Sequence, residues 1–178
     1  MSESVLQWIL AARAGDERAF AQLHARYAKM VHALLLARLP PSDAEDQVQE
    51  VFLIAWKKLA QLDDPGVFGA WLGTIARHRA VDYHRGHHAT ELIQDSLPDL
   101  HAASSGDIAD ARGVLAVVQT LPEAYRETLL MRLCEGMSGP EIAEVTGLEP
   151  GSVRINLHRG MKLLREKLGI TLKAAAHE

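Results

Sequence analysis

"GPEIAEVTGLEPGSVRINLHRG", residues 139–160, predicts two short helices joined by a bend at Gly147. Ser138 and Glu141 have the spacing of a capping box, which indicates that the first helix begins there. Gly147 tolerates the positive φ that a chain reversal requires, and Pro150 suits the first turn of the second helix. We therefore predict a helix-turn-helix, a motif that places its second helix in the major groove of DNA.

The second helix of this motif is basic on its outward face. Between Arg154 and Lys167, five Lys or Arg residues stand against one acid, Glu166, although the whole chain has a formal net charge of −4. Acidity elsewhere in the chain does not oppose DNA binding, because affinity follows local contacts with phosphates. A solvated helix of a small bundle would also be basic on one face. The capping box, the glycine spacing and the one-sided charge together favour DNA recognition.

The composition of the 178-residue chain is typical of a globular protein, with 48% hydrophobic and 24% charged residues. A single cysteine, Cys134, excludes an internal disulfide and a Cys-rich zinc site, which suits a reducing cytoplasm. No apolar stretch is long enough to predict a signal peptide or a membrane span. We therefore expect a cytoplasmic protein that is not inserted in a membrane.

Helical periodicity of apolar residues extends almost throughout the chain, and no alternating strand pattern is convincing. The predicted fold is all-α, with two small helical domains at residues 1–88 and 111–178, joined by a flexible linker at 89–110. The linker is acidic, with five Asp or Glu and no Lys or Arg. Asp16 is expected to cap the second helix, and Ser42 with Glu45 to form a capping box at the start of the third.

The first domain combines an acidic helix start with a basic helix end. In "SDAEDQVQEVFLIAWKKL", the acids exceed what capping requires, which indicates a docking face. In "FGAWLGTIARHRAVDYHRGHH", basic residues and an aromatic residue interleave, as in proteins that bind single-stranded nucleic acid. The histidines also fit a solvated helix end, and the pair His84 and His88 lacks the Glu of an HExxH metal site. No arrangement indicates catalysis, so we predict neither an enzyme nor a cofactor nor a metal.

These motifs, taken in order, resemble those of the extracytoplasmic-function (group IV) sigma factors of bacterial RNA polymerase. "DAEDQVQEVFLIAW" resembles the core-binding helix of region 2, and "FGAWLGTIARHRAVDYHR" resembles the segment that recognises and melts the minus-ten element. The stretch from "LPEAYRETLL" to "LLREKL" resembles region 4, whose helix-turn-helix recognises the minus-thirty-five element. The resemblance implies a region 2 domain at 1–88 and a region 4 domain at 111–178.

The same resemblance implies a set of partners and contact residues. The partners would be promoter DNA, the clamp helices and flap of core RNA polymerase, and an anti-sigma factor. The residues facing polymerase would be Asp43, Asp46, Gln49 and Glu50. Those binding the minus-ten element would be Phe68, Trp71, Arg77, Arg79, Tyr83 and Arg85. Those binding the minus-thirty-five element would be Gly151, Ser152, Arg154, Ile155, His158, Arg159 and Lys162. The loop "LDDPGVF" before Trp71 is acidic, where the family often has a basic residue.

Two other functions fit this domain organisation. A one-component regulator would bind DNA through the second domain and a ligand through the first, whereas an adaptor would bind protein partners through both. Co-purification with core RNA polymerase separates the sigma factor from either alternative. Because the linker is acidic and each domain carries a basic helix, we also expect the free protein to sample open and closed arrangements.

Overall fold

The computed structural model describes residues 3–91 and 106–169, so residues 92–105 of the predicted linker lie outside it. The described residues form α-helices and two short 3-10 turns, Leu59–Gln61 and Pro65–Val67, without a β-strand. The helices are α1 (Glu3–Arg13), α2 (Glu17–Leu36), α3 (Pro41–Lys58), α4 (Phe68–Glu91), α5 (Gly106–Gln119), α6 (Glu123–Leu133), α7 (Gly139–Thr146) and α8 (Pro150–Lys167). The predicted all-α fold is confirmed.

Helices α1 to α4 form the first domain around a core of aliphatic and aromatic side chains. Ile9, Leu23, Leu34 and Leu72 are each at most 1% exposed, one from each of α1 and α4 and two from α2. The side chain of Asp16 caps α2, because its carboxylate accepts hydrogen bonds from the first turn of the helix, at 2.8 Å and 3.1 Å. This predicted cap is confirmed.

The start of α3 differs from the prediction. The helix begins at Pro41, Pro40 occupies the N-cap position, and no side-chain hydrogen bond caps this helix. Ser42 lies inside the first turn, where its hydroxyl donates to the carboxylate of Asp43 at 3.2 Å. Proline is well suited to the first helical position because it has no N–H to satisfy. The predicted capping box of Ser42 and Glu45 is therefore wrong, since the proline pair starts the helix earlier.

Helices α5 to α8 form the second domain, and its helix-turn-helix matches the prediction. The Glu141 N–H donates to the Ser138 hydroxyl at 3.4 Å, and the Ser138 N–H donates to the Glu141 carboxylate at 2.7 Å. Gly147 ends α7 with φ of +74°, a conformation that glycine adopts without a steric penalty. Pro150 opens α8. Local signals thus determine both ends of the bend.

The two domains pack against each other, with α2 against α6 and α7, and α4 against α7. Their buried apolar residues form one continuous cluster. The main chains approach closely at Gly69, where a Cβ atom would lie 2.0 Å from the carbonyl oxygen of Val145. Helix α4 continues to Glu91 and α5 begins at Gly106, so both helices extend into the predicted linker. The domain boundaries at 88 and 111 stay a prediction.

Candidate nucleic-acid interface

Helix α8 separates an apolar face from a basic one. Val153 and Leu164 are 1% and 4% exposed, and they anchor the helix in the second domain. All residues predicted to bind the minus-thirty-five element are exposed, namely Gly151, Ser152, Arg154, Ile155, His158, Arg159 and Lys162. The nearest acid to Lys162 is Glu166, one turn away, at 3.9 Å. The structure therefore leaves the basic face of α8 open to solvent.

The start of α8 adds main-chain donors to this face. Glu149 occupies the N-cap position but makes no side-chain cap hydrogen bond, and Pro150 contributes no N–H. The N–H groups of Gly151 and Ser152 belong to the first turn, whose donors have no acceptor within the helix. Such a helix start favours a phosphate, because the dipole and the N–H groups act on the same anion. The face therefore combines main-chain donors that suit a phosphate with side chains long enough to reach base edges.

The start of α4 corrects one predicted contact. Phe68 is 0% exposed, and its ring packs against Tyr27 at a centroid distance of 5.0 Å and against Trp71 at 5.7 Å. Phe68 was predicted to bind the minus-ten element, but a side chain buried in the core cannot touch DNA. It supports Trp71 instead, which is half-buried. From the sequence alone, an aromatic residue near a tryptophan could either pack in the core or bind DNA. Only the fold distinguishes these two roles.

The loop before α4 also receives a structural explanation. The carboxylate of Asp64 accepts a hydrogen bond from the Gly66 N–H at 2.7 Å, which closes the turn that leads into the helix. Asp and Asn stabilise turns in this way through their short side chains. In the acidic loop that departs from the family pattern, Asp64 therefore has a structural role, because it stabilises the turn before α4.

The remaining candidates on α4 differ in their surroundings. Arg79 and Tyr83 are half-buried, whereas the Arg85 side chain is 79% exposed and lies 3.9 Å from Asp82. Burial and a hydrogen bond with Asp43 raise the pKa of the Tyr83 phenol. Tyr83 thereby links the C-terminal half of α4 to the first turn of α3, near the predicted polymerase contacts.

Arg77 contacts the second domain. Its guanidinium donates two hydrogen bonds to the Glu127 carboxylate, at 2.9 Å and 2.7 Å, and lies 3.4 Å from Glu123. Glu127 is only 6% exposed and also accepts a hydrogen bond from Arg38 at 2.8 Å. Burial by itself would raise the pKa of the Glu127 carboxyl, but Arg77 and Arg38 outweigh burial and lower it. Glu127 is therefore a charged carboxylate clasped by two arginines of the other domain.

Sequence reasoning missed Arg38 and Glu127. Arg38 lies outside the quoted motifs, Glu127 lies in the region 4 stretch without an assigned role, and their contact joins positions 89 residues apart. The available signal was the acid in "RETLLM", where Glu127 stands directly before a run of buried residues. A buried acid requires a partner of opposite charge, so its position predicts a cation nearby without identifying which one.

The predicted polymerase contacts lie on one face of α3. Asp46, Gln49 and Glu50 are exposed, and Asp43 is half-buried. Gln49 also lines an apolar groove between α2 and α3, whose other residues are Glu17, Phe20, His24, Phe52, Leu53 and Trp56. This surface combines carboxylates with an exposed apolar side chain, Leu53, which is 51% exposed. Such a combination is suited to docking a protein helix.

The described residues contain neither a candidate metal cluster nor a helix suited to a membrane. No group of three or more His, Cys, Asp or Glu in the described ranges could hold a metal ion. Within residues 3–91 and 106–169, no helix combines the length and apolarity of a membrane span. The side chain of His88, one of the two histidines weighed as metal ligands, lies outside the described part.

Comparison with protein-family models matches both domains. A model described as Sigma-70 region 2 matches residues 23–96. A model described as Sigma-70, region 4, matches residues 111–164. The first match includes α3 and α4, and the second includes the helix-turn-helix up to Leu164.

Several curated proteins are similar over most of the chain. RNA polymerase sigma factor CarQ of Myxococcus xanthus is 33% identical over 163 residues, which cover 88% of this chain and 93% of CarQ. The ECF RNA polymerase sigma-E factor of Escherichia coli K12 is 27% identical, with 94% and 97% coverage. The probable RNA polymerase sigma factor RfaY of Xanthomonas campestris pv. campestris is 32% identical, and the match covers 88% of this chain but only 42% of RfaY.

Two solved structures share the fold. CnrH, in complex with the cytosolic domain of CnrY, has a TM-score of 0.61 and 27% identity, covering 94% of this chain and 98% of CnrH. The sigma factor RpoE of Bartonella quintana, in complex with the anti-sigma factor NepR, has a TM-score of 0.54 and covers 85% of this chain and 97% of RpoE. At 22% identity, the second likeness concerns the fold alone.

Proposed function

Because the chain belongs to the extracytoplasmic-function family of RNA polymerase sigma factors, we propose that it binds core RNA polymerase and directs it to specific promoters. The observation that carries this proposal is the free basic face of α8, with its candidate contact residues all exposed on a helix-turn-helix. The arrangement fits a major groove, where side chains of the second helix reach base edges.

The minus-ten element is assigned to α4. Trp71, Arg77, Arg79, Tyr83 and Arg85 combine aromatic rings with cations, which bind bases and phosphates of a melted strand. Phe68 is left out of this set because it lies in the core. Asp43, Asp46, Gln49 and Glu50 on α3 are assigned to the clamp helices of polymerase, and the second domain to its flap.

The chemistry of RNA synthesis remains with the polymerase, so this chain acts as an initiation factor without a catalytic site or cofactor of its own. Its place of action is the cytoplasm, where polymerase and promoter meet. The similar CnrH structure is a complex with the cytosolic domain of CnrY, and the RpoE structure is a complex with the anti-sigma factor NepR. We propose that this chain also binds an anti-sigma factor, which would contact both of its domains.

The proposal is tested by assembly and transcription. Purified protein is mixed with core polymerase, and run-off transcription is measured on a library of random promoters. We expect co-elution with core and transcripts from a defined subset of templates. The double variant Asp46→Lys with Glu50→Lys should lose assembly, because it reverses the charge of the proposed docking face while α3 remains helical.

A matched control carries the same charge change on the same domain. Glu3→Lys with Asp63→Lys also reverses two exposed acids, but neither residue lies on α3. We expect this control to assemble as the wild type does. Wild-type assembly of the Asp46 and Glu50 variant would contradict the docking assignment, and absence of promoter-specific transcripts from the wild type would contradict the function.

A further inference from the structure

The contact between the two domains is built from complementary charges. On the first domain, the set is Arg26 and His32 of α2, Arg38 just after α2, and Arg77 of α4. On the second, α6, α7 and the turn between them supply Glu123, Glu127, Glu135 and Glu144. Each of the three arginines and His32 is paired with at least one of these carboxylates. A chance contact between domains would not be expected to pair three arginines and a histidine in this way.

Apolar packing lies between these pairs. Met30 and Leu34 of α2 line the same cleft as Met131 of α6, and all three are at most 1% exposed. Ion pairs contribute little net stability by themselves, because exposed pairs are screened by solvent and buried pairs lose hydration. Burial of apolar side chains provides a driving force that the ion pairs lack, and the pairs then fix the orientation of the domains.

The main chains also approach closely. At Gly69 a Cβ atom would lie 2.0 Å from the Val145 carbonyl oxygen and 3.0 Å from its carbonyl carbon. Within its own domain, the same Cβ would meet the Tyr27 ring at 3.2 Å, a contact that a small shift of the ring relieves. The absence of a side chain at residue 69 is thus a requirement of the closed arrangement and only a minor one of the first domain.

The pair of Arg77 with Glu127 connects this contact to function. Arg77 is one of the cations that the proposed function assigns to the minus-ten strand. Arginine binds carboxylate and phosphate through the same forked arrangement of two N–H donors. Glu127 occupies the fork formed by Nε and Nη2 of Arg77, so a DNA phosphate can take that fork only by displacing Glu127.

We propose that the domain contact is autoinhibitory, with Glu127 acting as an internal substitute for a minus-ten phosphate on Arg77. In the closed form, the DNA-melting helix α4 packs against α7, and the Arg77 side chain ties it to α6. Separation of the domains releases Arg77 and exposes the α4 surface around Gly69. This inference rests on the proposed function, because it takes the minus-ten strand as the ligand that Glu127 excludes.

The first test uses Gly69→Ala in the full chain, with Gly86→Ala as the matched control. Both residues lie on α4, but a Cβ at Gly86 would meet nothing within 4 Å. Domain separation is measured by small-angle X-ray scattering, and affinity by titration of a fork probe with a single-stranded minus-ten segment selected from a random pool. We expect Gly69→Ala to expand the scattering profile and to bind the fork about three- to tenfold more tightly than wild type. Apparent affinity rises with the fraction of protein in the binding-competent form.

A second variant covers the possibility that Gly69→Ala disturbs the first domain. Glu127→Gln keeps the size of the side chain and removes the charge that competes with phosphate. We expect it to open the protein and to strengthen fork binding in the same direction, with Gly86→Ala at wild-type values in both measurements.

The outcomes separate the inference from the proposed function. If both variants bind the fork with the same affinity as wild type, the autoinhibitory contact is overturned, whether or not their scattering profiles expand. If the variants expand and no protein binds the fork, assembles with core or supports transcription, the proposed function fails as well. Tighter fork binding by Glu127→Gln together with an expanded profile supports the inference.

Discussion

The two domains carry similar sequence signals and use them differently. Each has a Ser and a Glu with capping-box spacing, and each has a basic helix assigned to DNA. In the second domain the capping box forms and the basic face of α8 is exposed. In the first domain α3 starts at Pro41 without a side-chain cap, and Arg77 of α4 pairs with Glu127.

The difference shows where each signal is satisfied. The helix-turn-helix is completed by neighbours within a few positions, so its structure follows from local sequence. On α4, by contrast, Arg77 reaches across to the other domain, and its partner Glu127 lies 50 positions away in the sequence. A basic helix therefore indicates affinity for anions, but the nearest anion in the free protein is a carboxylate of the same chain.

The largest expected effect concerns the two basic helices. Arg159→Ala on α8 should weaken binding to a minus-thirty-five duplex by about 1–3 kcal/mol, because the loss of a base-edge contact is of this size. Arg85→Ala on α4 should leave duplex affinity unchanged and reduce promoter opening by the holoenzyme. Fluorescence anisotropy at fixed salt measures the first quantity, and permanganate footprinting measures the second.

Arg85 is the appropriate comparison for Arg159 because both are exposed arginines. Equal losses of duplex affinity in the two variants would contradict the assignment of α8 to the minus-thirty-five element and of α4 to the minus-ten element. Normal melting by the Arg85 variant would remove the assignment of that residue to the minus-ten element.

Much of this molecule was predictable from local pattern. Apolar spacing predicted the helices, Asp16 and Ser138 predicted two caps, and Gly147 with Pro150 predicted the bend. Burial within a helix was harder, because Phe68 and Trp71 share a stretch and only one of them lies fully in the core. The sequence predicted that the domains could contact each other, but not which residues form the contact. The acidic linker suggested a closed form, but the acids that pair with the first domain belong to α6, α7 and the turn between them.

An intermediate effect is expected from the two predicted capping boxes. Ser138→Ala removes an acceptor that the structure shows in use, and should lower the free energy of unfolding of the second domain by about 1 kcal/mol. Ser42→Ala should change stability by less than about 0.5 kcal/mol, because Ser42 caps no helix. Urea unfolding of the two variants, followed by circular dichroism, makes the comparison. A larger loss for Ser42→Ala would contradict the helix start at Pro41.

The smallest effect concerns pH and the edge of the domain contact. A hydrogen bond with Glu135 raises the pKa of His32, although burial opposes it, and the charges of Glu135 and Glu45 add to the increase. A raised pKa means that protonated His32 stabilises the packed state fully below about pH 6.5, and that this contribution is lost as pH rises through the raised value. We expect about 1 kcal/mol or less, given the partial exposure of the pair.

Scattering at pH 6 and pH 8.5 measures this change. Wild type should be more open at the higher pH, and His32→Gln should show a smaller difference between the two conditions. His158→Gln serves as the control, since His158 is exposed on α8. A pH response that survives in His32→Gln would assign it to another group.

The close approach of Gly69 to the Val145 carbonyl distinguishes two kinds of sequence variation at the domain contact. Changes in the ion pairs are gradual, whereas a change at Gly69 is abrupt. Ion pairs can change by degrees during evolution, because Asp can replace Glu and Lys can replace Arg, with loss of the forked geometry where the pair is bidentate. At Gly69 every other amino acid adds a Cβ atom at the same place, 2.0 Å from a main-chain oxygen. Descendants of this protein can therefore adjust how tightly the domains hold through the charged residues in many small steps. A single codon change at residue 69 would abolish the arrangement at once, producing a sigma factor that is permanently open.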